Sequence, residues 1–268
     1  MADIHTPAYF QALGDDRYEP TAHASGAWRE DELHLAPVAG LLIHHMDRWR
    51  ELHTDGTLTF SRISIDVLGQ IGRETIELRT EVIRPGRTIE MIETIATIAG
   101  RVTLRARAWL LQRNDTEAVE GTAFPAMPTI DSCSGDAWLK GWGGGFISSI
   151  DARQALDSAP GNARAWVSSE LSLVEGEAVS PLADFCKLLD TANGLAIRAD
   201  PTQWMYPNVD LTLHLFRQPI GTTVGFDTRV AFGPEGVGVT SSVVHDVNGP
   251  VATLQQSLTV RRMPEGGM

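Results

Sequence analysis

The stretch PVAGLLIHHMDRWRELH, residues 37–53, decides the fold of this chain. Its large side chains return at steps of three and four residues, the period of one face of an α-helix. Pro37 suits the first turn of a helix, and Gly56 follows its end. We therefore predict a long, mostly buried helix over Pro37–His53. Residues 9–35 before it mix aromatic side chains with turn residues. The side chains on the buried face are Leu41, Leu42, His45, Met46, Trp49 and Leu52.

Strand patterns follow this helix and are separated by short turns. Ile63, Ile65 and Val67 alternate with polar residues, which is the period of a strand with one buried face. The RPGR segment at 84–87 and Gly100 mark turns between later strands. Strands joined by turns of a few residues form an antiparallel sheet, so helix and sheet together indicate an α+β unit. The predicted strands span 60–68, 74–83, 88–98 and 101–112.

The same order of helix and strands recurs in the second half of the chain. Ser180 and Pro181 predict a second helix that continues to about residue 196, since serine caps helices and proline suits their first turn. The turn residues Gly100 and Gly249 lie 149 positions apart, as do two further pairs of landmarks. This constant spacing indicates a duplicated unit. The strands predicted here span 146–156, 163–173, 208–216, 222–232, 237–246 and 251–261.

The two copies predict the domain organisation. We expect an N-terminal unit over 1–113, a linker over 114–145 and a C-terminal unit over 146–268. Prolines and a glycine cluster at 141–145 indicate the linker. The cluster lacks the Lys-Ser/Thr ending of a phosphate-binding loop, so we interpret it as a flexible connection.

Composition and charge exclude several classes of protein. Acidic side chains number 34 against 22 basic ones, a net charge of −12, which argues against nucleic acid or an anionic membrane as a partner. Two cysteines, Cys133 and Cys186, are too few for a disulfide framework or a structural zinc site. We see neither a signal peptide nor an apolar run that could span a bilayer. The sequence therefore predicts a soluble, cytoplasmic protein without metal.

Several stretches of the sequence resemble the acyl-CoA thioesterase II-like family, and more closely its actinobacterial-type branch. They are residues 28–40, the RPGR turn at 84–87, and LDTANG at 189–194 followed by NVDLT at 208–212. The resemblance implies a double hotdog, in which two tandem units each wrap a long helix in an antiparallel sheet. It also implies a role in lipid metabolism, with water hydrolysing acyl-CoA thioesters without a metal, a cofactor or a covalent intermediate.

The resemblance also implies which residues hold the attacking water. By motif these fall on Asp190, Asn208 and Gln256, and Asn208 stands where better-studied members carry a hydroxyl. An amide can still hold water, because it offers both donors and an acceptor.

The residues themselves support two of these positions. Asp190 lies at the margin of the apolar face of the second helix, where partial burial would raise its pKa and make it a better base. The alternative is a helical acid that faces solvent. Gln256 is the single amide in an apolar row of the last strand, and Arg107 stands at the equivalent position of the first unit. The alternative for Gln256 is a core amide bonded to the backbone.

The remaining expectations concern the substrate and the rival functions. We expect backbone N–H groups at a helix start around Ala39 and Gly40 to bind the oxyanion, and Arg84, Arg87 or Arg217 to bind the phosphates of CoA. A non-catalytic acyl-thioester or lipid-binding protein, or a dehydratase or hydratase, remains an alternative. Association of copies through exposed sheet faces is also expected.

Overall fold

A long helix and six strands form the first half of the chain in the computed structural model, which describes residues 7–29, 31–135 and 142–264. Helix α1 is the predicted one, and every residue from Leu35 to Asp47 within it is buried. It begins two residues before Pro37 because the His34 ring accepts a hydrogen bond from the Ala36 N–H and caps the helix. These elements are β1 (Ala8–Gly14), β2 (Arg17–Pro20), α1 (Leu35–His53), β3 (Leu58–Val67), β4 (Ile76–Arg84), β5 (Ile89–Ile98) and β6 (Arg101–Gln112).

Strands β1 and β2 were not predicted from the sequence. They form an antiparallel hairpin that buries Tyr9, Phe10 and Tyr18. Asp15 and Asp16 make its turn, both with positive φ (51° and 54°), a conformation that aspartate tolerates better than most residues. The buried residues of β1 are consecutive rather than alternating, and β2 has only four residues, so the aromatic side chains are the signal that was available.

The second half repeats the strand order but divides the helix. The predicted single helix is three pieces: α3, a 3₁₀-helix at Leu189–Thr191, and α4. Ser180 caps α3 as predicted, through a hydrogen bond from the Ala183 N–H. The elements are β7 (Ser134–Gly135), α2 (Gly145–Ser148), β8 (Asp151–Gln154), β9 (Asn162–Ser168), β10 (Ser172–Val174), α3 (Pro181–Cys186), α4 (Ala192–Leu195), β11 (Trp204–Met205), β12 (Asp210–Leu215), β13 (Val224–Phe232), β14 (Val237–Asp246), β15 (Gly249–Thr259) and β16 (Arg261–Arg262).

The strand predicted at 146–156 is only partly correct, because its first residues form the short helix α2. The strand predicted at 163–173 is divided into β9 and β10, and the one predicted at 208–216 is shorter than expected, whereas β6 and β14 have the predicted bounds.

One continuous sheet joins the two halves. In the described part of the chain it has fourteen strands in the order β10-β1-β2-β4-β5-β6-β3-β12-β15-β14-β13-β9-β8-β7. Strands β3 and β12 pair antiparallel at its centre, with Ile63 opposite Leu213. Strand β10 of the second half pairs parallel with β1 of the first. The halves therefore share a sheet, and the second half adds an edge strand to the first.

The segment between the halves contacts the rest of the protein. Phe124 stacks on Phe216 with ring centroids 6.1 Å apart, and the Trp166 indole donates to the Pro128 carbonyl at 2.8 Å. A Cβ on Gly145 would lie 2.0 Å from the Ala22 carbonyl oxygen, so this glycine permits a close backbone approach. These contacts fix the segment at particular points, while most of residues 114–135 are exposed, so the flexible connection stays a prediction; residues 136–141 lie outside the described part of the chain.

Helices α1 and α3 cross in the core at a glycine. A Cβ on Gly40 would lie 2.7 Å from the Cβ and 2.9 Å from the Cα of Lys187. The ammonium of Lys187 is buried and donates to Asp184 and to the Leu171 carbonyl. None of the described helices is long and apolar enough to cross a membrane.

Candidate active site

The site is built around Asp190, which lies in the 3₁₀-helix between α3 and α4. Its side chain is 7% exposed, so it is a buried acid and not the solvent-facing residue of the alternative interpretation. The break between the helical pieces matters here, because Asp190 lies on a tight turn of buried residues rather than within a regular helix.

Asn208 and Gln256 contact the same oxygen of this carboxylate. The Asn208 Nδ2 and the Gln256 Nε2 each donate to Asp190 Oδ1 at 2.8 Å. Gln256 is fully buried on β15, between Leu254 and Leu258 in the apolar row that the sequence predicted. The three residues singled out from the sequence therefore lie together, with both amides bound to the carboxylate.

Burial sets the protonation of Asp190. Burial raises the pKa of this carboxyl to about 7, while the hydrogen bonds from Asn208 and Gln256 oppose the rise by favouring the charged form. A carboxyl with a pKa near neutrality can accept a proton from water and give it back at physiological pH.

His34 is a fourth residue of the site, and the sequence analysis missed it. Its Nδ1 lies 3.5 Å from Asp190 Oδ2 and accepts the Ala36 N–H at 3.1 Å. Burial lowers the pKa of this ring to about 3, so the imidazole is neutral. Because Nδ1 accepts a hydrogen bond, the proton of the neutral ring is on Nε2. A histidine immediately before an apolar helical run is a weak signal, since histidine is not a preferred cap.

Asp190 opens onto a cavity of about 190 Å³ that both halves line. Its wall is mostly apolar, with a few polar side chains, as is typical of small-molecule sites. Ala39 and Gly40 are not among the described lining residues, and the expected helix start around them is wrong because α1 begins at Leu35. The lining residues used below are Glu32, His34, Leu35, Gln70, Trp142 and Asn193.

The cavity holds a second acid, Glu32. Burial raises the pKa of this carboxyl above its ordinary value, and neighbouring Arg29 opposes the rise. Among the described lining residues there is no lysine or arginine. The cavity is therefore unfavourable for a negatively charged group.

Three aromatic rings close one side of the site. Trp28 meets Trp142 edge to face at 4.7 Å and Tyr206 at 5.5 Å between ring centroids. Trp142 comes from the segment that joins the halves, so this segment contributes to the wall of the cavity.

The three arginines expected to bind CoA phosphates lie outside this cavity. Arg217 makes a two-pronged ion pair with buried Asp246, both contacts at 2.6 Å, so its guanidinium is already engaged. Arg84 donates to the Ile89 carbonyl within its own hairpin and lies over the Trp109 ring. Arg87 is exposed in the same hairpin. No contact of these residues ties them to Asp190.

The described residues include no group of three or more histidine, cysteine, aspartate or glutamate side chains placed to hold a metal ion. His44 bonds Glu177 at 2.9 Å and His45 bonds Thr80 at 2.8 Å. Cys186 is buried, and burial raises the pKa of its thiol, which makes it a poor nucleophile.

Two family models match the chain. The acyl-CoA thioesterase N-terminal domain matches residues 24–111, and the acyl-CoA thioesterase C-terminal domain matches residues 122–260. No curated protein sequence matched the chain.

Solved structures are similar over almost the whole chain. A thioesterase II candidate from Thermobifida fusca has a TM-score of 0.70 at 21% identity, covering 94% of this chain and 95% of that one. Acyl-CoA thioesterase II TesB2 from Mycobacterium marinum has a TM-score of 0.65 at 14% identity, covering 96% and 97%. A protein of unknown function with a hot dog fold from Alicyclobacillus acidocaldarius has a TM-score of 0.71 at 12% identity, covering 95% and 96%.

At these identities the structural likeness shows the fold alone, which confirms the predicted α+β hotdog architecture. The family models carry the assignment further, because together they match both halves. The chain belongs to the acyl-CoA thioesterase family, and it is a thioester hydrolase.

Proposed function

We propose that this protein hydrolyses acyl-CoA thioesters by direct attack of a water molecule that Asp190 deprotonates. The observation that carries the proposal is a buried carboxylate whose Oδ1 accepts two amide hydrogen bonds of 2.8 Å. Those bonds fix the orientation of the carboxylate, so Oδ2 is the oxygen left to take a proton from water. Thioester hydrolysis needs such a fixed base beside the scissile carbonyl.

Asn208 and Gln256 serve the base in this proposal. Both side chains donate hydrogen bonds to Asp190. These bonds hold the carboxylate in place and oppose the rise in its pKa. Gln256 Oε1 is buried and has no partner among the described residues. It is an acceptor for the second hydrogen of the attacking water.

The start of α1 supplies the oxyanion donor, the backbone N–H of Leu35. Leu35 is the first residue of α1 and lines the same cavity as Asp190. The Ala36 N–H is bound by His34 Nδ1 and Pro37 has no N–H, so the Leu35 N–H is the first-turn donor left to stabilise negative charge. We assign the developing negative charge of the thioester oxygen to this end of α1, in place of Ala39 and Gly40.

The test is hydrolysis of a panel of acyl-CoA thioesters, measured as the release of the free thiol of CoA. Asp190→Asn should lower kcat by roughly 100-fold or more, the usual contribution of a general base. In the wild type, kcat/KM should rise with pH through about 7, because Asp190 must be ionised to act as a base. Asp151→Asn is the matched control, since Asp151 is an exposed acid on β8 that pairs with Arg153 and is not among the described lining residues of the cavity. Full turnover in Asp190→Asn would overturn the proposal.

A dehydratase or hydratase is the second candidate, because His34 and Asp190 lie 3.5 Å apart across the two halves. A histidine base needs a free nitrogen facing the substrate. His34 Nδ1 already caps α1, and its neutral ring carries the proton on Nε2, which supports hydrolysis instead. Incubation with a 2-enoyl-CoA distinguishes the two, since only the second candidate adds water without releasing thiol.

Other expectations join this proposal. We infer units at 1–113 and 146–268 with a linker at 114–145, supported by β6 and β15, which begin 148 positions apart. Exposed apolar residues on the first-half sheet, among them Ile83 and Ile89, support association of copies through that face. A cytoplasmic location and a role in lipid metabolism follow from the proposed substrate class.

A further inference from the structure

Two buried polar atoms beside the Asp190 cavity have no partner among the described residues. One is a donor, Trp142 Nε1, and the other is an acceptor, Asn193 Oδ1. Both residues line the cavity, and neither takes part in the proposed hydrolysis. A buried polar atom without a partner is costly, so such atoms are rare in proteins unless a ligand or water satisfies them.

The two atoms belong to one small region of the site. Asn193 follows Asp190 by three residues and lies on α4. Its Nδ2 donates to the Tyr206 carbonyl at 2.9 Å, which fixes the amide and leaves Oδ1 free. The Trp142 Nε1 lies 3.7 Å from the place that a Cβ on neighbouring Gly194 would occupy. A donor and an acceptor therefore lie at the same turn of α4.

The two atoms are buried, whereas Gln70, which lines the same cavity, is exposed. The side chain of Gln70 bonds exposed Asp31. The CoA arm of a thioester must lead to solvent because it carries the charged nucleotide. We therefore place the CoA arm on the side of Gln70 and the acyl group beside the buried atoms of Trp142 and Asn193.

The donor and acceptor select a chemical group. A hydroxyl both accepts and donates, so one oxygen can satisfy the indole N–H and the amide oxygen together. A carboxylate only accepts, and the cavity already holds Glu32 and Asp190 without a lysine or arginine among its described lining residues. An ammonium group only donates and would leave Trp142 Nε1 without a partner.

We propose that Trp142 and Asn193 bind a hydroxyl on the acyl chain, so that the preferred substrates are short hydroxyacyl thioesters. The inference rests on the proposed hydrolysis and adds its substrate class. The cavity volume of about 190 Å³ limits the length of the chain that fits.

The experiment compares kcat/KM for butyryl-CoA with that for 2-, 3- and 4-hydroxybutyryl-CoA, which share one chain length. We expect one hydroxyl position to be preferred by roughly tenfold or more, since a site that binds a substrate hydroxyl discriminates against the analogue without it. Trp142→Phe should reduce this ratio to about one by removing the indole N–H. Trp204→Phe makes the same change on β11, where the ring contacts Arg262 and is not among the described lining residues of the cavity, so it should keep the ratio and is the matched control.

Two results overturn the inference. One is a wild-type ratio near one at all three positions. The other is an equal loss of kcat/KM for butyryl-CoA and its hydroxylated analogues in Trp142→Phe. That result would mean that Trp142 Nε1 and Asn193 Oδ1 bind an amide of the CoA arm. Binding of the same thioesters to Asp190→Asn, measured by calorimetry, gives the ratio independently of turnover. A hydroxyl preference in binding without any hydrolysis in the wild type would contradict the proposed function and leave this inference standing.

Discussion

At the scale of single residues, the site depends on keeping an acid where water cannot solvate it. Asp190 has a pKa of about 7 in the folded protein against 3.8 for an ordinary aspartate. Between these two values the folded state holds a proton that the unfolded state has released. Raising the pH through this range therefore favours unfolding, at a cost of up to about 4 kcal/mol. The charged form of Asp190, which we assign to catalysis, therefore lowers the stability of the folded protein.

Replacing Asp190 by asparagine should therefore stabilise the protein at high pH. The asparagine Oδ1 can still accept from Asn208 and Gln256, and the neutral amide removes the buried charge. We expect Asp190→Asn to raise the free energy of unfolding at pH 8 by about 2–4 kcal/mol, with a smaller gain at pH 4.5. Urea unfolding at both pH values measures this difference. Asp151→Asn, at an exposed acid, is the control, and a wild type more stable than Asp190→Asn at pH 8 would contradict the argument.

The sequence identified part of this site and missed the rest for a physical reason. Asp190, Asn208 and Gln256 were accessible because the motif resemblance covers them, and because a single glutamine in an apolar row is visible in the pattern. His34, Glu32 and Trp142 come close to Asp190 only through tertiary packing of two halves. The spacing of residues along the chain does not predict that proximity, so these residues could be identified only in the structure.

At the scale of elements, the helix crossing at Gly40 positions the site. The α1–α3 contact is so close that a Cβ on Gly40 would lie 2.7 Å from Lys187, whose own backbone leads into Asp190 three residues later. Separation of the two helices would therefore move Asp190 relative to His34, which is fixed at the start of α1. The sequence predicted an oxyanion-binding helix start around Gly40, whereas the structure places Gly40 in the contact between two helices.

Gly40→Ala should lower both stability and kcat. Alanine is favoured over glycine in a helix by about 1 kcal/mol, but overpacking against a backbone atom costs about 1–3 kcal/mol, so we expect net destabilisation. Gly194→Ala in α4 is the matched control for stability, because its nearest neighbour would lie at an ordinary 3.7 Å. Thermal unfolding measures both variants. If Gly40→Ala unfolds at or above the wild-type temperature, the crossing is looser than the argument requires.

The elements themselves were largely predictable. Helix α1 and strands β3 to β6 have strong periodicity over nine residues or more, which local sequence determines. The division of the second helix was not visible, because its apolar spacing continues through the 3₁₀-helix at Leu189–Thr191. The short helix α2 was also missed, since it depends on contact between Gly145 and the loop at residues 22–26.

At the scale of the whole molecule, the two halves are joined too extensively to behave as separate domains. Strands β3 and β12 pair along the centre of the sheet, and β10 adds to the edge of the first half. Duplication predicted two similar units, but the pattern of a strand does not specify its partner. The cavity lies between the halves, so its shape depends on this junction.

The junction predicts that the chain unfolds as one cooperative unit. Leu254→Ala removes a fully buried side chain from β15 and should lower the free energy of unfolding by about 2–5 kcal/mol. Because the halves share a sheet, the amides of α1 in the first half and of β14 in the second should lose the same amount of protection. Hydrogen exchange measures this protection. Leu68→Ala, at a side chain that is 54% exposed, is the control and should leave both unchanged. A loss confined to β14, with α1 as protected as in the wild type, would mean that the halves fold independently and that the cavity between them can open without unfolding either one.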